Sequence, residues 1–260
     1  MGNALLDLAL PRAALEAHLT NLKLLESVDA SDISRISGAY ISIACAHAEA
    51  RDTEQAFEWL DKATAIHKSE ALGNSSRTLV IRSMTCLRAR DADAALTALQ
   101  ECWDLQSMTR DGIEKSKRPK HSGGIMLLAR IYWAQDKKIE SRRLVSHAAT
   151  MRKEAFGETG GPRIGDSLFT LARTLEEAGD LALAAKSLTE VISMSEGKDM
   201  AAHVARALWF YANVQAKMGA EEDVVSVSRE RAQSVRLMMD GKTEADTDES
   251  FMALVAWMLW

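Results

Sequence analysis

The chain has 260 residues, 47% of them apolar, and a formal net charge of −5. That is enough to bury one large or two small cores, and it leaves no basic footprint for nucleic acid or for an anionic membrane surface. Three prolines, fourteen glycines and runs of Ala and Leu favour helix throughout. Cys45, Cys86 and Cys102 lack metal-ligand spacing and the even count of a disulfide framework, which points to a reducing, cytoplasmic setting.

In chain order, ALLDLAL (4–10) reads as a short packing helix. PRAALEAHLTNLKLLESV (11–28) begins with Pro at a helix N-terminus and reads as the second helix of an incomplete leading repeat. Residues 1–30 are thus expected to be N-terminal capping helices. The opening MGNALL carries Leu6 where a myristoylation signal wants Ser or Thr. Four segments then share one design: AEARDTEQAFEWLDKATAI (48–66), LRARDADAALTALQECWDL (87–105), WAQDKKIESRRLVSHAATM (133–151) and LEEAGDLALAAKSLTEVIS (175–193). Each ends a helix, turns through a polar stretch containing Asp, and starts a second helix. A fifth copy, QAKMGAEEDVVSVSRERAQ (215–233), keeps the turn and loses part of the apolar pattern.

A small residue inside each first helix marks the period. Ala44, Ser83, Ala129, Ala172 and Ala212 are separated by 39, 46, 43 and 40 residues. Two antiparallel helices approach closely only where a side chain is small. Ala56, Ala95, Ser141 and Ala184 supply the matching small residues on the second helices, and Ile43, Leu60, Leu99, Leu128, Leu171 and Leu188 supply the bulk around them. Residues 237–260 read as an acidic linker and a C-terminal capping helix, with Trp257, Met258 and Trp260 covering the exposed end of a repeat array or offering a sticky peptide. The apolar FMALVAWMLW (251–260) is too short to span a bilayer.

These segments resemble the tetratricopeptide repeat (TPR) superfamily, over residues 31–236. LFTLARTLEEAGDLALAAKSLTEV (168–191) carries its pattern, and the lead-in RKEAFGETGGPRIGDSLFTLA is similar to the longer inter-repeat segment of kinesin-light-chain-like members. Arg82, His47 and Cys86 depart from the pattern. The resemblance implies an all-α, right-handed α-solenoid of four to five antiparallel helix pairs, used as a binding module with a concave groove.

In such a fold the concave face is lined by first-helix positions three before, one after and four after the small marker. Here these are Met126, Arg130 and Trp133, then Phe169, Arg173 and Glu176, then Trp209, Asn213 and Ala216, with Arg206 and Lys217 flanking the last set. Arg130, Arg173 and Asn213 hold equivalent positions, and guanidinium forks and amide donors suit a carboxylate or an extended acidic peptide. The arrangement partly resembles the carboxylate clamp of chaperone-binding members, with only Asn213 at a matching position. The bland reading is that Glu176 and Glu177 neutralise Arg173 and Arg130 within the scaffold.

No HExxH, paired-Cys or Gly-x-Ser-x-Gly pattern occurs, and GETGGPR lacks the Lys-Ser/Thr of a phosphate loop. No metal or cofactor is expected, and no catalytic residue is assigned. The expected partner is a peptide or protein, acidic or ending in a free carboxylate; nucleic acid and membrane are not expected. A rival reading is a small-molecule enzyme, such as an isomerase or cyclase of specialised metabolism, with Glu176 or His47 as acid or base. A third is self-association of like chains through the Trp-rich terminus. The packing argument makes a first prediction: Ala172→Leu overfills a helix crossing and destabilises the chain by about 1–3 kcal/mol in urea titration.

Overall fold

The computed structural model describes residues 1–70, 75–156, 161–195, 200–240 and 246–257. Gly157 and Gly160 of the glycine-rich link, part of the acidic linker (241–245), Met258 and Trp260 lie outside the described residues. All regular elements among the described residues are helical.

The chain divides into two units. The first comprises Met1–Ser116, Arg130–Asp136 and the stretch at Ala256 and Trp257; the second comprises Lys117–Ala129 and Lys137–Val255. In the first lie α1 (Gly2–Asp7), α2 (Pro11–Val28), α3 (Ile33–Glu49), α4 (Thr53–Glu70), α5 (Ser75–Arg88), α6 (Ala92–Leu105) and α7 (Arg110–Glu114). Helix α8 (Ser122–Ala134) gives residues 122–129 to the second unit and the remainder to the first. The second unit continues with α9 (Lys138–Phe156), α10 (Pro162–Glu177), α11 (Leu181–Ser195), α12 (Ala201–Lys217), α13 (Glu222–Asp240) and α14 (Asp248–Met252).

Pro11 stands in the first turn of α2, where a missing N–H costs nothing. Leu22 and Leu25 of α2 pack on Ile36, Ala39 and Ile43 of α3, with Tyr40 and Trp59 completing the cluster. The two rings lie 5.4 Å apart.

The small residues read from the sequence sit at the hairpin crossings. Ala44, Ser83, Ala129, Ala56, Ala95, Ser141 and Ala184 have no exposed surface, nor does Ala212, and Ala172 is 1% exposed. In α5–α6 the Ser83 hydroxyl donates to the Ala95 carbonyl at 2.7 Å. In the next pair the direction reverses, and Ser141 of α9 donates to the Ala129 carbonyl of α8 at 2.7 Å. A hydroxyl reaches the opposite backbone only where neither helix carries bulk between them. These bonds therefore locate the closest approach at residues twelve apart in sequence. The last pair departs from this spacing: the turn between α12 and α13 is one residue longer, and buried Val225 takes the place of a small partner.

A second periodic feature was hidden in the sequence. Seven residues after each marker the backbone turns left-handed, at Arg51, Arg90, Asp136, Gly179 and Gly219. The following amide then reaches back to a carbonyl in the last turn of the first helix: Asp52 to His47, Asp91 to Cys86 and Asp180 to Leu175, each at 2.9 Å, and Ala220 to Gln215 at 3.1 Å. This is the Schellman closure of a helix C-terminus. Asp52 and Asp91 next cap the second helix, their carboxylates accepting from the amides of Gln55 and Ala94. In the third hairpin Asp136 takes the left-handed position itself, which Asp tolerates better than most residues.

The 46-residue interval contains α7, which the sequence pattern did not reveal. Thr109 caps it through the Gly112 amide, Ile113 is buried, and Glu114 accepts from the Tyr132 hydroxyl at 3.0 Å. All three cysteines are free thiols, and burial pushes Cys45 up to about 12.

The turn geometry generates a prediction. Gly179 has φ +84 and open space around its missing side chain, so Gly179→Ala costs backbone strain alone, about 1–2 kcal/mol. Gly161 is extended with equally open surroundings, and Gly161→Ala stays within about 0.5 kcal/mol. Paired urea titrations with unchanged m-values check both.

Candidate functional site

The stripe Arg206, Trp209, Asn213 and Lys217 lies along one face of α12, as spacings of three and four residues dictate. Two of its members converge on one atom. Trp209 donates through Nε1 and Asn213 through Nδ2 to Oδ1 of Asp248, at 2.7 and 2.8 Å. Asp248 opens α14, which Thr247 starts with a reciprocal capping box to Ser250. Three residues on, fully buried Phe251 stacks on the Trp209 indole, with centroids 4.4 Å apart and planes 7° from parallel. The Arg229 guanidinium lies 5.9 Å from the Trp209 ring, and that of Arg236 lies 5.1 Å from the Phe251 ring. Arg236 also donates to the Ser250 hydroxyl at 3.1 Å and pairs with Asp246 at 3.6 Å, while Gln233 donates to Asp246 at 2.7 Å.

Beside this lies a charged cluster on α10 and α12. The Glu176 carboxylate is 2% exposed and accepts from both Arg173 and Lys217, the latter at 2.7 Å. Arg173 also lies 4.5 Å from the Phe210 ring centroid. Deeper still, Arg206 pairs with Asp166 at 3.5 Å, both nearly inaccessible, and its guanidinium covers the Phe169 ring at 3.9 Å. Phe169 meets Phe210 edge to face at 5.3 Å.

The remaining sequence-selected residues fall as follows. Met126 is 3% exposed, so it and Phe169 serve the core. Trp133 is half-buried. Arg130, in the first unit, donates to the Trp257 carbonyl at 2.9 Å, and its guanidinium lies 5.3 Å from the Trp257 indole centroid. The Arg88 guanidinium lies 4.5 Å from the same indole. Glu49 accepts from the Trp257 amide at 2.9 Å and pairs with Arg88 at 3.3 Å. Trp257 is thus gripped at its amide, its carbonyl and its ring. Burial pushes the Arg88 pKa down, and the Glu49 carboxylate opposes that shift.

Of the two neutralisations in the bland reading, Glu176 does pair with Arg173, whereas Glu177 is exposed. Sequence reasoning missed Glu49, Arg88, Asp166 and Phe251 as partners, and it took Asp246, Asp248 and Glu249 for a solvated acidic linker. Asp246 and Asp248 are instead held by α12 and α13. The pattern Thr247-x-x-Ser250 ahead of an apolar run announces the start of α14 but not its partner. The terminal helix is only five residues long. Of the acid–base candidates, Glu176 is held by two cations, and His47 Nδ1 sits 3.1 Å from Asp52 at a hairpin turn.

Solved structures with this arrangement of helices are known. BtubC (BKLC) from P. vanneervenii superposes with a TM-score of 0.64 at 14% identity, over 90% of this chain and 93% of that one. A putative kinesin light chain from Podosopora anserina with nearly identical TPR-like repeats matches with a TM-score of 0.59 at 15% identity, over 82% of this chain and 100% of that one. A point variant of that same protein gives a TM-score of 0.60 at 15% identity, over 81% of this chain and 98% of that one. No family model matches the sequence, and no curated protein sequence matches it. The chain has the all-α, TPR-like helical-repeat fold of kinesin-light-chain-like proteins, and at these identities the likeness is one of fold.

His203 gives the stability of the chain a pH dependence. Burial, then the positive charge of Arg206, lowers its pKa to about 4 against the pull of Asp166. The unfolded chain therefore binds this proton first, below about pH 6.5. Stability is fully present above that pH and falls as pH drops toward 4, by about 2–3 kcal/mol for this group at pH 4.5. Urea unfolding at pH 7.5 and 4.5 should show that increment in the parent chain and lose it in His203→Gln.

Proposed function

We propose that the chain is a protein-interaction scaffold in which the face formed by first helices α10 and α12 takes an extended peptide or protein segment bearing a carboxylate. The observation that carries this reading is the donor pair on α12, where Trp209 and Asn213, one turn apart, aim at a single carboxylate oxygen. Preorganised donors on packed helices lose little freedom when a ligand is bound. Arg173 and Lys217 add positive charge nearby. The acidic character of the expected partner follows from these donors.

Nothing in the geometry favours the catalytic alternative. Self-association through the tail requires release of the Trp257 indole from Arg88 and Arg130. Free thiols fit the cytoplasmic setting, and among the described residues no helix is long and apolar enough to cross a membrane.

Asn213 is the clean test position. Replacing Arg173 instead would leave the buried Glu176 carboxylate short of a partner and would cost stability. Random peptides displayed against the full chain are expected to enrich for acidic side chains or free carboxylates. Asn213→Ala should weaken the selected peptides at least tenfold, about 1.4 kcal/mol, while loss of its bond to Asp248 moves the melting midpoint by only about 2–4 °C. Selected peptides that bind Asn213→Ala as tightly as the parent would overturn the proposal.

A further inference from the structure

We propose that α2 is a self-association surface, whose outer face pairs antiparallel with α2 of a second copy of this chain about a two-fold axis near Thr20. All the residues concerned lie within the first unit, and the proposal is independent of the peptide-binding reading.

Helix α2 has 18 residues and so spans about 27 Å. Its inner side, with Ala14, His18, Leu22 and Leu25, is buried. Its outer side presents Ala13, Ala17, Thr20, Leu24 and Val28, whose spacings of three and four keep them on one helical stripe. Leu24 is 59% exposed and Val28 75%. A helix face that meets only water is ordinarily charged, as α4 of the same unit is, with Glu54, Glu58, Asp61 and Lys62 exposed. The middle of the exposed face of α2 carries no charge. Its large side chains gather at the C-terminal end and its small ones at the N-terminal end.

That asymmetry identifies the partner. Turned end for end against a copy of itself, the stripe sets Ala13 against Val28 and Ala17 against Leu24 of the second copy, with Thr20 meeting its own counterpart at the axis. Small against large is the fit that lets two helices close, whereas a parallel pairing sets large on large. Charge selects the same arrangement. Glu16 and Lys23 are exposed, seven residues apart on one flank of the stripe, and neither has an ion-pair partner among the described residues. Like flanks face each other in an antiparallel pair, so Glu16 meets Lys23 of the second copy and Lys23 meets its Glu16. A parallel pair leaves both without an opposite charge. The contact is self-complementary, so it closes at a dimer.

The test is sedimentation equilibrium of the full chain over a series of concentrations. One helix pair is a small interface, so the mass is expected to move from monomer toward twice that value as concentration rises through the micromolar range. Leu24→Glu places a charge in the contact and should leave only monomer; the position is exposed, so the variant folds as the parent does. Glu16→Lys and Lys23→Glu each turn two attractive pairs per dimer into two repulsive ones and should weaken association about tenfold. Joined in one chain, or mixed as separate variants, the two changes restore opposite charges across the axis and should recover the parent's affinity. Any of three results sinks the proposal: a parent that stays monomeric through that range, a dimer that survives Leu24→Glu, or paired charge reversals that fail to recover what each one loses.

Discussion

The closeness of two helices at one point organises each hairpin of this protein. A hydroxyl on Ser83 or Ser141 touches the facing backbone carbonyl, and alanines fill the equivalent sites elsewhere. Dispersion and burial there depend on interaxial distance, and one added methylene group at a crossing opens every contact around it. Large residues such as Ile43, Leu60, Leu99 and Leu128 are fully buried because the small ones let the helices meet. The last hairpin relaxes this rule with Val225 and compensates with a longer turn.

The left-handed turn residue is the second half of the same device. Because it follows each marker by seven residues, it fixes where the first helix stops relative to the crossing, and so which residue of the second helix arrives opposite the small one. Only Gly179 and Gly219 announce this conformation by residue type. Arg51 and Arg90 adopt it against their intrinsic preference, held by the backbone closures that follow them, and Asp136 adopts it at less cost. Glycine is therefore a sufficient signal of the turn and not a necessary one.

This difference explains what could be read in advance. The period was legible because steric exclusion acts on residue size, which the sequence displays directly. The α12 stripe was legible because helical spacing places Arg206, Trp209, Asn213 and Lys217 on one face whatever lies beyond it. The side chains that meet the stripe were not legible. Asp248 is 35 residues from Asn213 and 39 from Trp209, and no local rule links such positions. Phe169 and Met126 illustrate the opposite limit: a positional rule points them toward a ligand face, and neighbouring side chains bury them. Arg206 is buried with its counter-ion Asp166, so its charge serves the interior of the second unit.

The two crossing hydroxyls also bear on which exchanges the hairpins can absorb. The Ala95 and Ala129 carbonyls that accept from Ser83 and Ser141 lie within α6 and α8, and a carbonyl oxygen has two lone pairs, so the serine uses one that its own helix ladder leaves over. Losing the hydroxyl strands no acceptor, and alanine already stands at the equivalent sites of the other hairpins. Serine and alanine are therefore interchangeable currency at a crossing, where volume is the quantity under constraint and polarity is not.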